Sequence, residues 1–138
     1  MVNSRAKGAQ FERSIANYLW DHLGIKFKRD LEQYREGDHG DLVPERGVNF
    51  PFVIECKRYK SGDGMRPDWW GQASRAANRA GKLPCVVYKF DHRDVRVVVP
   101  LHAVMYEEED NGFVAVLDLE GFCYLVREMM NESSMRKL

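Results

Sequence analysis

Two short stretches decide the reading: Gly40-Asp41-Leu42, and twelve residues on, Phe52-Val53-Ile54-Glu55-Cys56-Lys57. The second has the composition of a strand, bounded by the turn residues Gly47 and Asn49 on one side and by Ser61-Gly62-Asp63-Gly64 on the other. Strand side chains alternate between faces, so Phe52, Ile54 and Cys56 form an apolar face. Val53, Glu55 and Lys57 share the opposite one. An ionised glutamate and lysine projecting from an otherwise apolar strand are costly unless they are paired or bound to a metal. If the strand that carries Asp41 is a neighbour, the two carboxylates converge. Two carboxylates, a backbone carbonyl such as that of Cys56 and several waters form the oxygen-rich environment that Mg²⁺ takes.

Around these stretches the pattern predicts alternating helices and strands. Residues 8–23 read as a helix, with Phe11, Ile15, Tyr18, Leu19, His22 and Leu23 at helical spacing, Ser4 or Asn3 as a cap and Gly24 as the stop. Ile25–Arg29 reads as a strand and Asp41–Val43 as a short one ended by Pro44. Residues 67–80 form a second helix with Pro67 in its first turn, Gly81 as its stop and Pro84 beyond. Its Ala73, Ala76, Ala77 and Ala80 make a low face that can approach a sheet closely. Cys85–Phe90 and Val95–Val99 are predicted strands joined by Asp91-His92-Arg93-Asp94. A short helix over 101–107, a strand over Phe113–Leu117 and a last helix from about Asp118 complete the order. The result is an α/β fold, a mixed central β-sheet flanked by helices. The expected organisation is a single domain over 1–138, with a core of about 5–100 and a carboxy-terminal strand and helix extension of about 101–138.

Composition is consistent with such a domain. Of 138 residues, 44% are hydrophobic and 30% charged. No apolar run is long enough to span a bilayer, and the amino terminus lacks the apolar stretch of a secretory signal, so a cytoplasmic protein is expected. Cys56, Cys85 and Cys123 lie far apart in apolar stretches and read as small hydrophobes rather than zinc ligands. Net charge is zero, but residues 1–96 hold 18 Lys+Arg against 13 Asp+Glu, and residues 97–138 hold 3 against 8. The amino-terminal part is therefore basic, as a polyanion-binding surface requires. The run Glu107-Glu108-Glu109-Asp110 reads as a solvated loop.

Glu12 lies at the edge of the first helix's buried stripe and is a candidate third acid, acting on a metal through water. Gln72 shares a face with Trp69, Ala73 and Ala76, which aims it at the sheet and demands a hydrogen-bond partner, either Lys57 or a metal-bound water. Trp69 and Trp70 read as core or subunit contacts. His39, beside Asp38 and Asp41 in a polar loop, is a weaker candidate for the site, and His22 reads as partly buried. Lys7, Arg29, Arg58 and Lys60 cluster near the site in sequence. Arg75, Arg79 and Lys82 follow at i, i+4 and i+7 on the second helix. These seven are candidate cations for the phosphates of a polyanion.

At these residues the chain resembles the PD-(D/E)xK nuclease superfamily, and within it the small Holliday junction resolvases of archaea and their phage-encoded relatives. Glu12 is similar to the first-helix acid of that group, Asp41 to its strand aspartate, and Glu55 and Lys57 to its paired acid and lysine. Gln72 resembles a supporting glutamine on the following helix, and Arg29-Asp30-Leu31-Glu32-Gln33-Tyr34 looks like the segment that precedes the aspartate in phage members. Gly40 departs from the pattern by standing where the proline would be. The resemblance implies a restriction-endonuclease-like core (α-β-β-β-α-β-β) over about residues 5–100. It also implies Mg²⁺ or Mn²⁺ as cofactor with no organic cofactor, hydrolysis of DNA phosphodiesters at branched DNA in recombination or repair, and a homodimer. Asp41, Glu55, Lys57, Glu12 and Gln72 are then the catalytic set. Rival expectations are a nuclease of the same class acting on duplex or single-stranded DNA, and a non-catalytic DNA-binding or assembly module whose Asp41–Glu55–Lys57 cluster is an ion-pair network.

Overall fold

A computed structural model describes residues 4–31 and 40–136, with side chains through residue 132. The elements follow the predicted order: α1 (Ser4–Leu23), β1 (Phe27–Arg29), β2 (Leu42–Pro44), β3 (Phe52–Tyr59), α2 (Pro67–Ala80), β4 (Leu83–Phe90), β5 (Arg96–Pro100), α3 (Leu101–Val104), β6 (Val114–Leu117) and α4 (Leu119–Arg136). The six strands form one sheet in sequential order. Neighbours are antiparallel except β3 and β4, which run parallel and are joined through α2. A parallel pair needs such a crossover, because a tight turn can only reverse the chain.

One face of the sheet carries α1 and α4. Phe11, Ile15 and Leu19 of α1 and Phe122, Cys123 and Val126 of α4 pack there with Phe52, Ile54, Val87, Val97 and Val99. The residues of the carboxy-terminal extension thus enter the same core as α1. The other face carries α2. Val53 meets Ala76 and Ala77, and Trp69 and Ala73 pack on Val86, Tyr88, Phe90 and Val98. The small alanines let α2 lie close to the strands, and Gly81, at φ 68°, ends it in the left-handed conformation that glycine adopts without strain.

Several boundaries differ from the sequence reading. Helix α1 starts four residues earlier than predicted, at Ser4, because Ser4–Lys7 extend it as an exposed turn with no apolar stripe to announce it. Pro44 lies inside β2, opposite Phe27, and Pro84 lies inside β4. Helix α3 stops at Val104, short of the predicted 107, where Met105 leaves helical geometry and Tyr106 takes a positive φ of 57°. His22 is exposed rather than partly buried, and stacks on Tyr18 at 4.0 Å. Cys85 and Cys123 are buried free thiols, while Cys56 is only half-buried. The Glu107–Asp110 run is exposed, as expected.

Candidate active site

The site forms where β2 ends and β3 continues without a partner on that side. Leu42 pairs with Ile54, so the next register step sets Asp41 beside Glu55. The approach is close. Asp41 N–H donates to the Ile54 carbonyl at 2.7 Å, and a Cβ on the preceding Gly40 would lie 2.1 Å from that same carbonyl oxygen. Glycine is therefore required at position 40 by contact, and a proline ring would not fit there. Beyond this point the Cys56 amide has no strand to bond. Asp41 Oδ2 accepts from it at 2.6 Å, while the Asp41 carbonyl accepts from Asp30 N–H at 2.9 Å. The aspartate is thus clamped at both its backbone and its carboxylate.

Asp41 and Glu55 are both buried, at 6% and 2% exposure. Burial pushes the Glu55 carboxyl up to about 8, helped by the Asp41 charge and by a hydrogen bond between the two, with the Lys57 charge opposing. Two carboxylates held together away from water cannot both ionise cheaply without a cation. Glu55 Oε2 is buried and has no hydrogen-bond partner among the described residues. Oxygen-only donors with one oxygen left unsatisfied fit a hard divalent ion. Among the described residues no three His, Cys, Asp or Glu side chains are grouped as a metal site. The chain's share would be Asp41, Glu55 and the Cys56 carbonyl, a set that suits Mg²⁺, which keeps much of its water.

Glu12 comes from α1 to the same region but is not a third direct ligand as it stands. Its Oε2 accepts from Arg29 Nε at 2.6 Å. Burial raises the Glu12 carboxyl, the Arg29 bond opposes this, and the neighbouring Asp41 charge adds to it. On the α2 side, Lys57 Nζ donates to Gln72 Oε1 at 2.8 Å. Gln72 has the partner that its position demanded, but it is exposed at the rim rather than tucked against the sheet. Trp69 is core, stacked on Tyr59 at 5.2 Å, and Trp70 is half-buried.

The seven candidate DNA-binding cations divide. Lys7 and Arg58 both bind Asp91 Oδ1 at 2.6 Å, and Arg29 is held by Glu12. Lys60, Arg75 and Arg79 are exposed and Lys82 half-buried. Asp91 was missed by sequence reasoning, which took it only as a turn residue. No local pattern signals the parallel β3–β4 pairing, which sets Tyr59 opposite Phe90 and so brings Asp91 to the end of β3, where its N–H donates to the Lys60 carbonyl. His39, Asp38 and Glu32–Tyr34 lie outside the described residues.

The family model described as "Phage putative PDDEXK endonuclease" matches residues 3–135. No curated protein matches. Seven chains of solved structures match. One is Archaeoglobus fulgidus Hjc, described as a Holliday junction resolvase from an archaeal hyperthermophile. It is 23% identical to this chain, over 83% of this chain and 85% of that one, with a TM-score of 0.50. At that identity the likeness is one of fold.

Proposed function

This chain belongs to the phage PDDEXK endonuclease family, and from that premise we propose that it is a divalent-metal-dependent endodeoxyribonuclease that cuts branched DNA. The observation that carries the reading is the buried Asp41–Glu55 pair, with an unsatisfied Glu55 oxygen and Lys57 two residues along the same strand face. The fold shared with a Holliday junction resolvase supports the choice of branched DNA.

Asp41, Glu55 and the Cys56 carbonyl would hold Mg²⁺ or Mn²⁺. A bound ion of this kind supplies charge against the phosphodiester oxygens and acidifies a water. Asp41 is kept in place for that task by its bonds to the Cys56 and Ile54 backbone. Lys57, oriented by Gln72, positions the attacking water and stabilises charge that develops on the phosphate. Glu12 acts one shell out. Its carboxylate, held by Arg29, would face the water around such an ion if Arg29 turned to a DNA phosphate. Arg75 and Arg79 on α2, with Lys60 just past β3 and Lys82 just past α2, contribute exposed or half-exposed cations for the DNA backbone.

Resolving a junction needs two cuts, so the acting unit in this proposal is a homodimer. Exposed Met105, Tyr106, Phe113, Val114, Val116 and Tyr124 supply apolar surface in the carboxy-terminal part for such an association. The experiment is a cleavage panel of four-way junction, flap, blunt duplex and single strand, with Mg²⁺ or Mn²⁺, for the wild type and Asp41→Asn. Metal-dependent cutting that is stronger on the branched substrates, junction or flap, than on duplex or single strand, and is abolished in the variant, is expected. Cutting of no substrate by the wild type defeats the enzymatic reading, and preference for duplex or single strand defeats the branched-DNA part alone.

A further inference from the structure

A polar cavity not used by the site above opens two strands along the sheet from Lys57. Parallel pairing sets Tyr88 beside Lys57, and antiparallel pairing sets Arg96 beside Tyr88. One row therefore runs Lys57–Tyr88–Arg96 on the face that carries α2, and at about 4.8 Å per strand its ends lie ~10 Å apart. The cavity measures about 380 Å³ and lies between the β3–α2 loop at Gly62–Gly64 and the β4–β5 turn. Tyr88 and Phe90 supply its apolar wall. The loop runs close against that wall, where a Cβ on residue 62 would lie 2.4 Å from the Phe90 ring and push the ring aside.

Four charged side chains line the cavity: Arg93, Arg96, Asp63 and Asp94. None of them makes an ion pair among the described residues, whereas Lys7, Arg29, Arg58 and Arg66 each hold a carboxylate. Two guanidinium groups and two carboxylates cancel in charge, so the cavity is not built for a run of phosphates. It suits a ligand that carries one anionic group and several N–H donors. A nucleotide has both. Its phosphate matches the arginines, and the amino or imino N–H groups of its base match the aspartates. A cavity of this size falls within the range that small ligands occupy. In a duplex those base donors are already spent on the complementary strand, so the nucleotide must be unpaired.

We propose that this cavity takes one unpaired nucleotide of the DNA strand, displaced about 10 Å from the phosphate at Lys57. The inference rests on the nuclease reading and refines its substrate: DNA carrying a single-stranded segment beside the bond to be cut.

The test measures equilibrium binding in EDTA to a blunt duplex and to the same duplex bearing a single-stranded flap. The proteins are the wild type, the double variant Arg93→Ala/Arg96→Ala and the double variant Asp63→Asn/Asp94→Asn. All four residues are exposed, so the variants should keep the wild-type Tm. Each double variant is expected to lose about tenfold in affinity for the flap and less than about twofold for the duplex. Equal loss on both DNAs, or none on the flap, overturns the cavity assignment while leaving the nuclease reading intact. A wild type that binds neither DNA and cuts none with Mg²⁺ defeats the nuclease reading itself.

Discussion

Lys57 Nζ donates to Gln72 Oε1 at 2.8 Å, a bond that ties β3 to α2 across the rim of the candidate site. A lysine amine on a flexible stem has many rotamers, and one fixed hydrogen bond selects among them before substrate arrives. Lys57→Ala should lower kcat for DNA cleavage by roughly 10²–10³-fold, the loss typical of a preorganised donor. Gln72→Ala, which leaves the amine present but unanchored, should lose less, about tenfold. Single-turnover cleavage with binding measured in parallel checks both. Equal loss in the two variants, or loss of binding instead of turnover, would contradict the assigned roles.

The Glu55 carboxyl is pushed up to about 8 in the fold, by burial and by the Asp41 charge, from an ordinary 4.5. Between these values the folded state holds a proton that the unfolded chain releases. Stability of the metal-free protein should therefore be full below about 4.5 and fall as pH rises toward 8. Glu55→Gln removes the titrating group. It should raise the Tm of metal-free protein at pH 8 and change it little at pH 5. Thermal melts at the two pH values decide this, and a variant less stable than wild type at pH 8 would show that the ionised carboxylate is not under strain.

Gly40→Ala should be among the most damaging single changes, because its Cβ would meet backbone atoms of Ile54 at 2.1–2.8 Å. Backbone cannot rotate away as a side-chain tip can. A cost of about 1–3 kcal/mol is expected from overpacking, with a Tm drop of roughly 3–10 °C. Calorimetry checks the figure, and an unchanged Tm would mean that the β2–β3 junction is looser than described.

Asp91 holds two of the candidate DNA-binding cations, Lys7 and Arg58, and their bonds keep its own carboxyl down at about 2. Asp91→Asn frees both for phosphate. DNA affinity should rise at low salt, and the slope of log K against log salt should steepen by about 1–2 as up to two further phosphates are neutralised. Salt-dependent anisotropy titrations read the slope directly. An unchanged slope would confine Lys7 and Arg58 to tying α1 and β3 to the end of β4.

Much of this was legible in the chain because the governing rules are local. Alternation along Phe52–Lys57 separated the core face from the chemical one, and the structure packs Phe52 and Ile54 in one cluster and Val53 in another. The alanine face of α2 predicted close contact with the sheet, and the order of elements followed. What sequence reasoning could not supply depends on long-range pairing. Glu12 lies at the right edge of α1, yet its capture by Arg29 follows from how β1 meets that helix. Asp91 and the Arg93–Arg96 cavity wall read as a turn and a strand end, because nothing local announces that β4 runs parallel to β3 and ends beside it. Strand ends shifted for the same reason: Pro44 and Pro84 lie inside strands whose extent is set by their neighbours.

The account turns on Asp41 and Glu55 sharing one divalent ion, and calorimetric titration of Mg²⁺ or Mn²⁺ into DNA-free protein at pH 8 addresses it most directly. One ion per chain bound by the wild type, with uptake accompanied by proton release from the Asp41–Glu55 pair and lost in Asp41→Asn, is the expected result. Binding that survives unchanged in Asp41→Asn and in Glu55→Gln would place the metal elsewhere and contradict the central claim.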